Sequence, residues 1–265
     1  YSVDETGCIK YSNAEMMALA IQQMFDETFT VKNVELLTCG TSSADQILPS
    51  HTAMVHGLLK GANPMPIMSP AGVCCAGAHA LQYGYLSVAS GNSHNAVCGA
   101  SELISPLMLA RNFEGEYEEL QQAEKNPYIA FDKDFLRWLL SDGAGCVLLS
   151  DKPEGEISLK IEWMESISYA NELKACMYQG AEKDSNGDLV SWKTMSEQDW
   201  ISKSIFAIKQ DVRQLGEFVV KKAVDHIKNS SKKHGMSFEK DVNYFLPHIS
   251  SMCFYDLLME GMENA

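Results

Sequence analysis

Residues 66 to 91 constrain the fold of this chain more than any other stretch. Pro66-Ile67-Met68-Ser69-Pro70-Ala71-Gly72-Val73-Cys74-Cys75-Ala76-Gly77-Ala78-His79-Ala80-Leu81 begins as a short apolar run flanked by prolines. It passes a glycine and two adjacent cysteines. It then continues with apolar or small residues at helical spacing: Ala80, Leu81, Gly84, Tyr85 and Val88. A strand that runs through a tight glycine turn into a helix puts the turn residue at the helix N-terminus. The open N–H groups and the positive end of the helix dipole lie there. A thiol at that place has its thiolate stabilised, and the thiolate is the nucleophilic form. The same stretch also reads as two small buried cysteines, which is how unpaired cysteines commonly pack. The rest of the chain has to decide between the two.

Composition narrows the choice of chemistry. The 265 residues are 46% hydrophobic and 21% charged, the balance of a globular chain able to form a large core or two packed halves. The eight cysteines form no C-x-x-C pair and no even spacing, so neither a zinc site nor a disulfide framework is expected. No secretory leader and no apolar run of membrane-spanning length is visible, which makes a reducing cytoplasm the expected setting. A net charge of −14 argues against nucleic acid and against anionic lipid as partners. The chain opens at Tyr1 without a methionine and stops at Ala265 after a helical pattern, so both ends are expected to be cut.

In chain order, Ser12 or Asn13 can cap a helix whose apolar residues Met17, Ala20, Ile21, Met24 and Phe25 share a face. Val34 to Thr38 reads as a buried strand, Cys39 to Ser43 as a turn, and Ser50 to Leu59 as a helix ended by Gly61. After the helix that ends at Gly91 comes a short buried strand, His94 to Ala100. Residues 101 to 130 are irregular and carry the acidic run Glu114 to Glu119. Ser141 to Gly145 is a turn before a buried strand, Cys146 to Leu149. Asp151 to Gly155 marks the expected boundary between two halves, residues 1–151 and 152–265. In the second half, Ile157 to Ser168 alternates like a strand. Ser196 to about Lys233 reads as one long helix, Val242 to Pro247 as a buried strand, and a helix starts near Ser251.

Asn33 to Ser43 and Asp241 to Ser251 resemble one another at a constant offset of 208 residues. Each follows a helical pattern, ends in a turn with paired serines and leads into another helix. If the halves are duplicated, equivalent turns from each could meet at one site. Pro247-His248 ends the second of these segments, and strand ends of α/β sheets are where catalytic groups gather. A cysteine from one half and a histidine from the other supply the nucleophile and the proton-handling group of acyl transfer.

Taken together, these residues resemble the β-ketoacyl-acyl-carrier-protein synthase III group of the thiolase superfamily. That family shows Pro-x-x-Asp-x-x-Ala-Cys-Ala-Gly before its active-site helix, a Gly-Asp-Gly-Ala-Gly turn, and Phe-x-Pro-His-Gln-Ala-Asn at its histidine. The stretches here are PIMSPAGVCCAG, SDGAG at 141–145 and YFLPHISS at 244–251, in the same order and at similar spacing. The AGVC and LPHxSS variants resemble the dialkylresorcinol- or cyclohexanedione-forming subgroup. The resemblance implies a thiolase-like duplicated α-β-α-β-α layered α/β fold, incomplete at both ends. It also implies Cys74 as the acyl-accepting nucleophile and His248 as a catalytic histidine. Cys74 keeps the family's distance to Ala80-Leu81 and to Gly91, whereas the local string Cys-Ala-Gly favours Cys75, which stays the alternative.

The resemblance further implies Claisen condensation of a Cys-bound acyl group with a malonyl- or β-ketoacyl-type thioester, in fatty-acid or polyketide-like biosynthesis. Acyl-CoA and acyl carrier protein are the implied partners, with a homodimer, no cofactor and no metal. A carrier protein is acidic, so docking would call on Lys221, Lys222, Lys228, Lys232 and Lys233, unless these simply form a solvated face. The family's catalytic Asn and its glycine-rich strand fall beyond Ala265, and Ile249-Ser250-Ser251 replaces Gln-Ala-Asn. Two rivals stay open: a thiolase or thioester hydrolase on the same fold, and a non-catalytic partner subunit of a heterodimeric ketosynthase.

Overall fold

The computed structural model describes residues 4, 6, 8–109, 112, 136, 139–153, 157–249 and 251–263. The acidic run Glu114 to Glu119 lies outside them. The chain divides into two compact units, Tyr1–Leu109 with Leu140–Met164, and Ala110–Leu139 with Glu165–Ala265.

The first unit is a four-stranded sheet between helices. Helix α1 (Asn13–Gln22) is capped by Ser12, whose side chain accepts from the Glu15 N–H while the Glu15 carboxylate accepts from the Ser12 N–H. Strands β1 (Leu37–Gly40), β2 (Ile67–Met68), β3 (Asn95–Glu102) and β4 (Gly143–Ser150) lie in the order β2-β1-β3-β4. The first three run parallel and β4 is antiparallel. Helix α2 (His51–Leu58) connects β1 to β2, and helix α3 (Ala76–Ala89) connects β2 to β3.

Two expectations shift here. Cys39 and Gly40, expected in a turn, extend β1, because Cys39 pairs with Gly99 and Gly40 with Ala100. Gly143 to Gly145, also expected in a turn, opens β4 opposite Glu102 to Ala100. Glycine and serine content signals a turn only where the neighbouring strand offers no ladder partner.

Alternation along β3 sends its side chains to two cores. Val97 joins Met17, Ile21, Leu37, Cys39 and Val55 on the α1/α2 side. Ala96 and Cys98 join Leu36 on the other side, where Leu81 and Val88 of α3 pack with Leu149. Small residues let the helices approach closely: a Cβ on Gly84 would lie 2.2 Å from the Cys98 sulfur, and one on Gly99 2.5 Å from Cε of Met17.

The second unit departs further from the sequence reading. Short antiparallel pairs join β5 (Met177–Tyr178) to β8 (Lys209–Gln210) and β6 (Ala181–Lys183) to β7 (Leu189–Ser191). The long helix expected from Ser196 is two helices, α4 (Glu197–Ser202) and α5 (Val212–Lys233). Trp192, Trp200 and Phe206 pack ring on ring at 5.4 to 6.0 Å, and Ser204 turns the chain with φ 44°. That turn buries Ile205 and Ala207 completely or nearly so. Asp211 then restarts the helix by accepting from the Gln214 N–H. Helical spacing continues through the break, so the pattern alone could not reveal it.

Neither Ile157 to Ser168 nor Val242 to Pro247 joins a ladder among the described residues. Leu159 is 91% exposed and Leu246 90%, where the sequence led us to expect an alternating strand and a buried strand. Phe245 is the anchored residue of the second segment, its ring 5.2 Å from that of Phe238 in the one-turn helix α6 (Phe238–Asp241). The strand part of the internal similarity is therefore not realised, since β1 is paired on both sides and its counterpart is not. Helix α7 (Tyr255–Glu263) follows a 3-10 turn, Met252–Phe254.

At the end of α5, Glu165 accepts hydrogen bonds from Lys233, Ser230 and His234. These donors, Lys233 foremost, hold its carboxyl down at about 2. A carboxyl depressed in the folded state stabilises fully above its ordinary value of 4.5 and loses that contribution as pH falls through about 2. Glu165→Gln is expected to flatten the acid limb of a urea-midpoint profile between about pH 5 and 2. An acid limb unchanged from wild type would refute this role.

Candidate active site

The carboxyl ends of β1 and β3 meet the N-terminus of α3, and the cysteines lie at that junction. Cys75 is the residue that caps α3, with φ −89° and ψ −3°. Its carbonyl accepts from the His79 N–H at 2.9 Å, and the Ala76 N–H reaches back to the Val73 carbonyl at 3.2 Å. Cys74 sits one residue earlier in the turn. Both side chains are exposed thiols. A Cβ on Gly72 would stand 3.3 Å from the Cys75 sulfur, so that thiol folds back over the turn. Gly72 itself has φ +155°, a conformation other residues rarely adopt.

Three other thiols of the unit, Cys39, Cys98 and Cys146, differ sharply. Burial pushes Cys39 well above the usual thiol range and Cys98 up to about 12, and it also raises Cys146. These are packing residues, as small buried cysteines usually are. The structural reading offered for Cys74 and Cys75, two buried side chains, does not hold for this pair.

A polar cluster that the sequence did not disclose lies behind the turn. Asn13, fully buried, donates from Nδ2 to Thr41 Oγ1 at 2.9 Å and to the Ser43 carbonyl at 2.8 Å. The Glu102 carboxylate accepts from the Ser42 N–H and hydroxyl at 2.8 and 2.7 Å and from the Ser43 hydroxyl at 2.5 Å. Asp45 accepts from the N–H groups of Asn13 and Ala14 at 2.8 and 2.9 Å, at the positive end of α1. His51 is buried with Nε2 3.1 Å from the Ser101 hydroxyl, and burial lowers its pKa against the pull of Asp45 and Glu102. The sequence marked Ser12-Asn13 as a cap and Thr41 to Ser43 as a turn. Contacts across 28 to 88 residues, such as Asn13 to Thr41 and to Ser101, carry no local signal.

His248 belongs to the second unit. It is exposed, in the irregular segment that Phe245 anchors. The structure thus places Cys74 and Cys75 together in one unit and His248 in the other. Among the lysines considered for docking, Lys222 pairs with Glu172 at 2.7 Å over the Tyr169 ring, and Lys233 pairs with Glu165. Among the described residues, no group of three or more His, Cys, Asp or Glu is placed to hold a metal ion, and no helix is long and apolar enough to cross a membrane.

No family model matches the chain. A curated relative, β-ketoacyl-[acyl-carrier-protein] synthase III 2 of Deinococcus radiodurans, is 30% identical over 125 residues. That match covers 46% of this chain and 30% of the relative. The solved structure of AbyA1, a tetronic acid condensing enzyme, superposes with a TM-score of 0.69 at 17% identity, over 99% of this chain and 68% of that one. A Xanthomonas campestris OleA structure with bound lauric acid and lauroyl-CoA superposes with a TM-score of 0.64 at 14% identity, over 96% and 66%. Over the matched residues this chain is similar in sequence to a β-ketoacyl-[acyl-carrier-protein] synthase III, and over nearly its whole length it has the thiolase-like fold of the AbyA1 and OleA structures.

Proposed function

We propose that this chain is a ketosynthase-type acyltransferase in which Cys74 carries the acyl group. The observation that carries the reading is a pair of exposed thiols at the N-terminus of a long helix, in a chain with the fold of condensing enzymes. In the first half-reaction the Cys74 thiolate attacks the carbonyl carbon of an acyl thioester. The carbonyl π bond opens to an oxyanion, then re-forms as the C–S bond to the leaving thiol breaks. The products are the Cys74 thioester and free thiolate, which takes up a proton. In the second, a malonyl- or β-ketoacyl-type thioester supplies a carbanion equivalent that attacks the Cys74 thioester. A carbon–carbon bond forms and the Cys74 thiolate leaves. With a malonyl unit, the carbanion arises as carbon dioxide departs.

His248 is assigned the hydrogen bond to the thioester oxygen of the second substrate, where negative charge develops. An imidazole N–H suits this as a hydrogen-bond donor. Acyl-CoA and acyl carrier protein are the proposed substrates. The OleA structure, of the same fold, holds an acyl-CoA. A homodimer and a cytoplasmic setting belong to the same reading. Incubation with a medium-chain acyl-CoA followed by peptide mass spectrometry tests it. An acyl mass on Cys74 is expected. An acyl mass on Cys75 moves the nucleophile by one residue, and no adduct on either favours a non-catalytic subunit.

A further inference from the structure

We infer that Asn13, acting through Thr41, is a positioning residue for the cysteine turn. The inference rests on reading that turn as the acyl-accepting site. Thr41 continues β1 and touches the turn directly: its N–H donates to the Pro70 carbonyl at 3.3 Å, and it forms a parallel bridge with Ala71. One residue earlier, Gly40 lies against the far side of the same turn, where a Cβ would stand 2.2 Å from the Ala76 carbonyl oxygen. The chain that bears Cys74 and Cys75 is thus gripped at both ends by Gly40 and Thr41.

What grips Thr41 is the cluster behind it. Its hydroxyl accepts from Asn13 Nδ2 and from the Ser43 N–H at 3.1 Å, and lies 3.4 Å from Glu102 Oε2. Asn13 is 0% exposed and Thr41 5%, so water does not compete for these bonds. The Asn13 amide is spent on its donor side: Nδ2 meets Thr41 and Ser43, while Oδ1 has no hydrogen-bond partner among the described residues. A buried amide oxygen left without a partner carries a desolvation cost. The side chain is held there for what its NH2 group fixes. Leucine is close in size and could fill the space, but it would take this donor away from the Thr41 hydroxyl and the Ser43 carbonyl.

The stabilisation of a thiolate at a helix N-terminus falls off within one turn, so it depends on where the thiol is held. Thr41→Val keeps the volume and removes the hydroxyl; Thr41→Ser restores it. Site-resolved iodoacetamide labelling of the full chain, followed as a function of pH, reads the effect. Thr41→Val and Asn13→Ala are expected to raise the alkylation midpoint of Cys74 by about half a unit and to slow labelling at neutral pH about threefold. Thr41→Ser is expected to restore the wild-type profile. Variants that lower the melting temperature but leave the midpoint unchanged would overturn the inference, because a structural brace alone moves only stability. If neither variant folds, hydrogen exchange of the wild type decides. Peptides covering 70–76 should be protected as well as those covering 37–43, and exchange more than about a hundredfold faster would overturn the inference. Labelling needs no acyl transfer, so a failed positioning role is separable from a failed catalytic one.

Discussion

Replacing Cys74 with alanine is expected to abolish the acyl-enzyme adduct and to slow condensation by at least about a thousandfold. No neighbouring group can take over cheaply. Cys75 is the next residue, at the N-cap of α3. Its thiol is directed back over Gly72. The buried thiols Cys39 and Cys98 are pushed far up by burial and present no thiolate near neutral pH. Cys75→Ala is expected to retain the adduct. His248→Ala separates the two half-reactions: the adduct should still form while its consumption by the second thioester slows by about a hundredfold or more. Intact-protein mass spectrometry for loading, with product analysis for condensation, checks all three. Full adduct formation in Cys74→Ala would end the assignment.

The second large effect concerns Gly40. Gly40→Ala is expected to destabilise the first unit by about 3 kcal/mol or more, because overpacking here meets backbone rather than a side chain that can rotate away. The new methyl carbon would stand 2.2 Å from the Ala76 carbonyl oxygen and 2.4 Å from its carbon. Either β1 shifts out of register with β3, or the first turn of α3 lifts off the sheet. Both routes displace the cysteine turn, so loss of alkylation selectivity should accompany the loss of stability. Gly57→Ala is the control: it lies within α2 with nothing within 4 Å, and should be neutral or stabilising by up to about 1 kcal/mol. Urea unfolding of both variants distinguishes a steric fault from a general intolerance of alanine. Equal midpoints for Gly40→Ala and wild type would show that the close approach is not a constraint.

Legibility differed between the two units for a physical reason. In the first, each element carries its own local signature. Ser12 and Glu15 form a capping box within four residues, and the stripe of Met17 and Ile21 faces a sheet whose strands are short apolar runs. The strand–turn–helix of residues 66 to 91 could be read directly, and the exposed cysteines stand at its turn. In the second unit the apolar pattern misled. Trp200, Ser204 and Ala207 sit at spacings compatible with one helix, but the packing of Trp200 and Phe206 with Trp192 favours a break. Tyr244 and Leu246 look like core and are exposed.

By itself the sequence determined elements whose hydrogen bonds close within a few residues: the cap at Ser12, the turn at Gly72, and the order of strand, cysteine pair and helix. Tertiary structure alone decided which of the apolar runs became strands, since a strand exists only when a neighbour supplies its ladder, as β3 does for Cys39 and Gly40. It alone also decided what holds the cysteine turn. Asn13 reaches Thr41 across 28 residues and Glu102 reaches Ser43 across 59. Such bonds are made by the folding of the sheet against α1, and no local pattern encodes them.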